Sequence, residues 1–137
     1  MTVHKNLGNG FLESVYQEAL EKELQKTSIP FERQKKLQVR YEDDYLDKYF
    51  IADFICYDKI IIELKAVSFI NNEHTSQILN YMKVTGYQVG LLINFGQSSL
   101  VWKRYILTPN KSVLIRVPRG WISPDKYLSL YLINNLS

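Results

Sequence analysis

Cysteine is nearly absent from this 137-residue chain, with Cys56 its only example. No disulfide can close within the chain, and no cysteine-based zinc or iron–sulfur site can form. On an apolar strand Cys56 reads as a small buried hydrophobe. Long apolar runs are missing too: none approaches the ~20 residues that a membrane-spanning helix needs. The chain start lacks the basic and apolar segments of a secretory leader. A cytoplasmic, reducing environment with no membrane association is expected. No internal repeat and no low-complexity segment occurs. Acid is scarce in one region only. Residues 101–137 hold 1 Asp/Glu against 6 Lys/Arg, a net of +5, whereas residues 1–100 hold 13 against 11, a net of −2. Lys103, Arg104, Lys111, Arg116, Arg119 and Lys126 make this last third basic. That asymmetry suits a polyanion footprint or, equally, a solubilising surface.

What is present describes a folded domain. A hydrophobic content of 46% and an aromatic content of 13% exclude a disordered chain. The length suits one domain with a proper core. After Gly8-Asn9-Gly10, the spacing of Leu12, Val15, Tyr16, Ala19, Leu20 and Leu24 predicts an amphipathic helix over residues 10–27. Leu37, Val39 and Tyr41 alternate with Gln38 and Arg40 as a half-exposed strand. Residues 46–56 and 60–66 predict a hairpin across Tyr57-Asp58-Lys59. Asn71-Asn72-Glu73 offers an N-cap for a helix to Thr85, with Gly86 just past its end. Residues 87–95 and 100–107 read as strands, so the segment 60–95 predicts a parallel strand–helix–strand crossover. The fold class is α/β, a mixed central sheet flanked by helices. Residues 1–107 form the expected core. Residues 108–137 read as an extension packed on the same domain: a strand at 113–117, then a short helix from Ser123-Pro124-Asp125 through Leu136.

Asp53, Glu63 and Lys65 are the residues that suggest chemistry. Alternation puts Glu63 and Lys65 on one strand face, and the hairpin brings Asp53 alongside Glu63. Charges on such apolar strands are costly unless they pair or hold a cation. Mg²⁺ takes one or two carboxylate oxygens and keeps the rest of its shell for water and phosphate. Lys65 is placed to orient or deprotonate an attacking water, or to stabilise charge on the phosphorus. A structural ion pair of Lys65 with Glu63 or Asp53 explains the same pattern. Gln77 and Tyr81, one helical turn apart, share a face of the following helix. Gln77 could bond a water or a ligand, and Tyr81 could touch a phosphate or base. Lys103 and Arg104, from the basic third, join Tyr81 as candidate nucleic-acid contacts. Glu13 also suits a helix N-terminus for ordinary electrostatic reasons. His74 has no neighbour at metal-ligand spacing and stays outside the site.

Five motifs occur in order: Gly10-Phe-Leu-Glu13-Ser-Val-Tyr16, Ala52-Asp53-Phe54, Ile62-Glu63-Leu-Lys65-Ala66, Gln77-Ile-Leu-Asn-Tyr81 and Gly90-Leu-Leu-Ile-Asn94-Phe95-Gly96. As a set they resemble the GxxExxY family of the PD-(D/E)XK nuclease superfamily, over roughly residues 4–106. The resemblance implies a restriction-endonuclease-like αβββαβ core and a divalent-metal nuclease site. Asp53 and Glu63 would be metal ligands, Lys65 the catalytic lysine and Glu13 an additional acidic ligand. Gln77-x-x-x-Tyr81 is similar to the motif of the RecB-type branch. The implied activity is hydrolysis of DNA phosphodiester bonds with Mg²⁺ or Mn²⁺, leaving 5′-phosphate and 3′-hydroxyl ends. RNA is the second substrate to consider. Asn9 stands where the family has proline. The helix ahead of Val3 is shorter than the family's, so looser support for Glu13 is expected. Residues past 107 extend beyond the family's usual end. The alternative function is a catalytically silent module that keeps the fold and binds nucleic acid or a protein partner. Ten tyrosines leave room for a homo-oligomer.

Overall fold

The computed structural model describes residues 1–108, 113–116 and 124. Helices α1 (Thr2–Leu7) and α2 (Glu13–Lys26) precede strands β1 (Phe31–Tyr41), β2 (Asp44–Cys56) and β3 (Ile60–Lys65). Helix α3 (Asn72–Thr85) follows, then β4 (Val89–Asn94), β5 (Val101–Leu107) and β6 (Val113–Arg116). The strands form one mixed sheet in sequential order from β1 to β6. Among the described strands only β3 and β4 run parallel, joined across α3 as the strand–helix–strand pattern requires. β6 adds part of the expected extension to the sheet edge. The expected final helix lies outside the described residues. Among those described, no helix is long and apolar enough to cross a membrane.

The sheet buries a core on each face. Tyr16, Leu20 and Leu24 of α2 pack on Phe54, Ile62, Leu64, Leu91 and Ile93. Ile78, Tyr81 and Met82 of α3 pack on Ile55, Ile61, Leu92 and Tyr105. β3 and β4, covered from both sides, are almost continuously apolar, which is what burial on both faces demands. α3 starts on a reciprocal cap. His74 N donates to Asn71 Oδ1 at 3.0 Å, and Asn71 N donates to His74 Nδ1 at 3.2 Å. That settles His74 as a capping residue. Gly86 closes the helix at φ 77°, a left-handed position.

Two elements differ from the sequence expectation. The residue spacing predicts no helix at α1, whose place only the family resemblance marks, and β1 begins at Phe31, six residues before Leu37. β1 is an edge strand whose first residues are mostly solvated, so Glu32, Arg33, Gln34, Lys35 and Lys36 show no alternation to read.

The loop after β3 is pinned to the end of β4. Asn94, fully buried, accepts at Oδ1 from Val67 N (3.0 Å) and from Gly96 N (3.0 Å), and donates to Val67 O (2.9 Å). A Cβ on Gly96 would lie 2.2 Å from Val67 O and 2.4 Å from Val67 N. Both are backbone atoms, which cannot swing away. Gly96→Ala is therefore expected to cost about 3 kcal/mol, the upper part of the overpacking range, and to lower Tm by roughly 10 °C in a thermal melt. A melt within 2–3 °C of wild type would disprove this close approach.

Candidate active site

The site is built where two strands part. β2 and β3 pair through Cys56↔Ile60, Ile55↔Ile61 and Phe54↔Ile62, and the ladder ends there. On the other side of β2, Gln34 and Asp53 are the pair missing from the β1–β2 ladder between Arg33↔Phe54 and Lys35↔Ala52. Gln34 sits at φ 53°, which costs a non-glycine residue on the order of 1–3 kcal/mol. There the ribbon turns over: Phe54 and Cys56 face α2, whereas Ala52 and Phe50, of the same parity, face α3. The turnover frees Asp53 from the ladder.

The carboxylates take over as backbone partners. Asp53 N donates to Glu63 Oε1 at 3.2 Å, and Leu64 N donates to Asp53 Oδ2 at 2.7 Å. Gln17, one turn after Glu13 on α2, donates from Nε2 to Asp53 Oδ1 at 2.6 Å. Gln34 Nε2 in turn donates to Gln17 Oε1 at 3.3 Å, so the strained residue helps to orient the glutamine. Lys65 Nζ donates to Gln77 Oε1 at 3.0 Å, and Gln77 Nε2 donates to the Tyr81 hydroxyl at 2.9 Å. The Tyr81 ring lies 4.5 Å from that of Phe50, which anchors this relay on β2. Lys65 thus bonds an amide and, among the described residues, makes no ion pair.

The loop before Glu13 is itself anchored. Tyr16 stacks on Phe95 at 4.6 Å, donates from its hydroxyl to Gly8 O at 2.7 Å and accepts from Phe11 N at 3.3 Å. His4 Nε2 bonds Gln97 O at 2.9 Å. These contacts fix the loop that leads into α2.

Electrostatics follow from this burial. Glu63, 4% exposed, has its carboxyl pushed up to about 9, first by desolvation and then by the neighbouring Asp53 charge. Asp53 is raised by desolvation, against the opposing pull of the Leu64 N–H and of Glu63. Burial and the charge of Asp53 thus both favour the protonated form of Glu63. Glu13 is raised by desolvation, and it feels both Lys65 and Asp53. Tyr81 is raised by desolvation, with the charges of Glu63 and Asp53 adding to the effect.

The structure thus gathers Asp53, Glu63, Lys65, Gln77 and Tyr81 around one fork, with Glu13 within electrostatic reach. Among the described residues no three His, Cys, Asp or Glu side chains stand together closely enough to hold a metal ion. Glu13 therefore lies outside any tight three-carboxylate cluster. A hard divalent cation asks for only one or two carboxylates, however. Asp53 Oδ1 and Oδ2 and Glu63 Oε1 each accept one N–H, which leaves each a second lone pair. The residues present fit such an ion. Lys103 and Arg104 separate. Lys103 pairs with Leu92, whose register partner is Glu63, so it lies on the Glu63 face two strands away. Arg104 pairs with Leu91 on the opposite face, and the two do not converge. Gln17 and Gln34 were not expected in the site. Gln17 lies four residues from Glu13, the one signal that could have pointed to it.

Comparisons with known proteins bear on this geometry. A sequence model described as the PD-(D/E)XK nuclease superfamily matches residues 1–105. No curated protein matches the chain in sequence. Among solved structures, that of SSO0001 aligns with a TM-score of 0.47 and 16% identity, over 91% of this chain and 59% of that one. An alkaline exonuclease from Laribacter hongkongensis aligns with a TM-score of 0.48 and 11% identity, over 88% of this chain and 64% of that one. The chain thus spans less than two thirds of either.

Proposed function

The chain belongs to the PD-(D/E)XK nuclease superfamily, and on that premise we propose that it is a divalent-metal-dependent nuclease hydrolysing phosphodiester bonds in DNA. Within the superfamily, the Gly10-to-Tyr16 motif supports our reading of it as a member of the GxxExxY group. One observation carries the proposal: Asp53 and Glu63 meet at the parting of β2 and β3, with Lys65 beside them and held by Gln77. An ordinary strand pair would close its ladder at this point. Here the closure is replaced by two carboxylates whose charge burial opposes.

Asp53 and Glu63 would hold the ion, Mg²⁺ or Mn²⁺, with Glu13 adding negative charge within electrostatic reach. Bound there, the ion would neutralise phosphate charge and lower the pKa of a water. The protein's own groups do the positioning. Gln17 and Leu64 N–H fix both oxygens of Asp53, so its carboxylate cannot rotate. Gln77, locked by Tyr81, aims the Lys65 ammonium. From there Lys65 orients the attacking water and stabilises the charge that builds on the phosphoryl oxygens. Water attacks phosphorus in line and gives up a proton, the P–O3′ bond breaks, and the leaving 3′ oxygen takes up a proton from solvent. The products carry 5′-phosphate and 3′-hydroxyl ends.

The direct test incubates single- and double-stranded DNA with the protein in Mg²⁺, in Mn²⁺ and in excess chelator. Cleavage with either ion and none with chelator is the expected result. DNA binding that is equal in all three conditions, with no product in any, would replace the nuclease with a silent binding module.

A further inference from the structure

We propose that the exposed face of the β1–β2 ribbon next to Asp53, formed by Lys36, Gln38, Tyr49 and Ile51, is a platform for a single strand of nucleic acid flanking the cleaved phosphate. The inference deepens the nuclease reading and rests on it.

Register places these residues together. Lys36 pairs with Ile51 and Gln38 with Tyr49, and directly opposed residues share a face. Lys36 Nζ lies 3.8 Å from the Tyr49 ring centroid, which confirms the shared face. The other face of the same ribbon is used: Leu37, Phe50 and Ala52 pack toward α3. The turnover at Gln34 is what exposes this side. Beyond it Tyr49 remains 46% and Ile51 48% exposed, an apolar strip on a strand that leads into the site. Asp53 bonds Gln17 of α2, so it lies on the sheet face opposite α3, as Ile51 and Tyr49 do. At about 3.3 Å per residue, Tyr49 is roughly 13 Å of strand from Asp53. That is about four steps of stacked nucleic acid at 3.4 Å each.

The chemistry suits a nucleic-acid strand better than a second copy of the chain. The Lys36 ammonium over one face of the half-exposed Tyr49 ring offers a phosphate a partner, and the exposed remainder of the ring offers a base a stacking surface. Among the described residues Lys36 forms no ion pair, so its charge is not already neutralised by an acid. Only an unpaired base presents a free ring face, which makes the ligand single-stranded. Glu42, Asp43 and Asp44, at the ribbon's tip, repel phosphate and end the platform short of it.

Tyr49→Ser, Tyr49→Phe and Lys36→Gln change exposed positions and leave the core intact. For a fluorescent single-stranded oligonucleotide, Tyr49→Ser is expected to raise KM about tenfold, the weight of one stacked base, with kcat unchanged. Tyr49→Phe keeps the ring and should retain wild-type KM. Lys36→Gln should reduce the slope of log K against log salt by about 0.7, the value of one single-strand phosphate contact. The same variants are measured for binding by anisotropy in chelator. If wild type cleaves nothing but Tyr49→Ser still weakens binding, the platform stands and the nuclease reading falls. If wild type cleaves and all three variants match its KM and salt slope, the platform falls and the nuclease reading stands. Sedimentation of wild type as a dimer, with Tyr49→Ser a monomer, would assign the face to a second copy and overturn the proposal.

Discussion

Asp53→Asn is expected to lower kcat for DNA cleavage by on the order of 10³-fold, the scale seen when a preorganised charge is removed from a reacting centre. The fold should survive. The asparagine Oδ1 still accepts from Leu64 N, and the amide of Gln17 can turn to present its oxygen to the new NH₂ group. What disappears is the negative charge that would hold the cation. Lys65→Ala should cost about as much in rate through a different loss. Its charge stabilises the phosphoryl oxygens, and Gln77, freed of its partner, no longer has anything to aim. The two variants separate in calorimetry. Lys65→Ala should bind Mn²⁺ at least as tightly as wild type, because a competing cation has gone, whereas Asp53→Asn should bind it at least tenfold more weakly. Rates for both variants within a factor of three of wild type would mean that the activity belongs to a contaminant or to another site.

Those predictions concern residues that the sequence made conspicuous. Asp53, Glu63 and Lys65 stand out because charges on otherwise apolar strands need a reason, and α3, β3 and β4 stand out because their periodicity is strong. Other parts were hidden for identifiable physical causes. The start of β1 is wet on an edge, so its charged residues look like a loop. α1 has six residues and no side-chain cap, too little for a helical pattern. Gln17 resembles any polar residue on a helix until β2 and β3 part beneath it, and no local signal marks Gln34 as left-handed. Lys103 and Arg104 were grouped by charge alone. Alternation along a strand already separates them.

Between about pH 5 and pH 8, in chelator, the wild-type protein is expected to lose stability as pH rises, and Glu63→Gln to remove most of that dependence. The sign follows from linkage. The Glu63 carboxyl is raised from an ordinary 4.5 to about 9 in the folded protein by burial and by Asp53, so the folded state holds a proton that the unfolded chain has released. The associated stability is fully present below the unfolded value and is lost as pH climbs toward the folded one. Across that window the slope approaches about 1.4 kcal/mol per pH unit for one proton, or roughly 10 °C in Tm over three units. Asp53 and Glu13, both raised by burial, tilt the curve the same way. Cys56, raised to about 12, titrates well above the window and leaves it unaffected. Glutamine in place of Glu63 keeps an oxygen for Asp53 N and an N–H for the Asp53 carboxylate, but carries no proton to lose. Its Tm at pH 8 should exceed that of wild type, with a nearly flat profile. Mg²⁺ should reverse the order: because its ligands bind it deprotonated, the ion stabilises wild type more at pH 8 than at pH 5 and stabilises Glu63→Gln little at either. A wild-type Tm in chelator that stays level or rises from pH 5 to pH 8 would refute the raised Glu63 carboxyl. Equal Mg²⁺ stabilisation of both proteins would remove Glu63 from the ion's ligands.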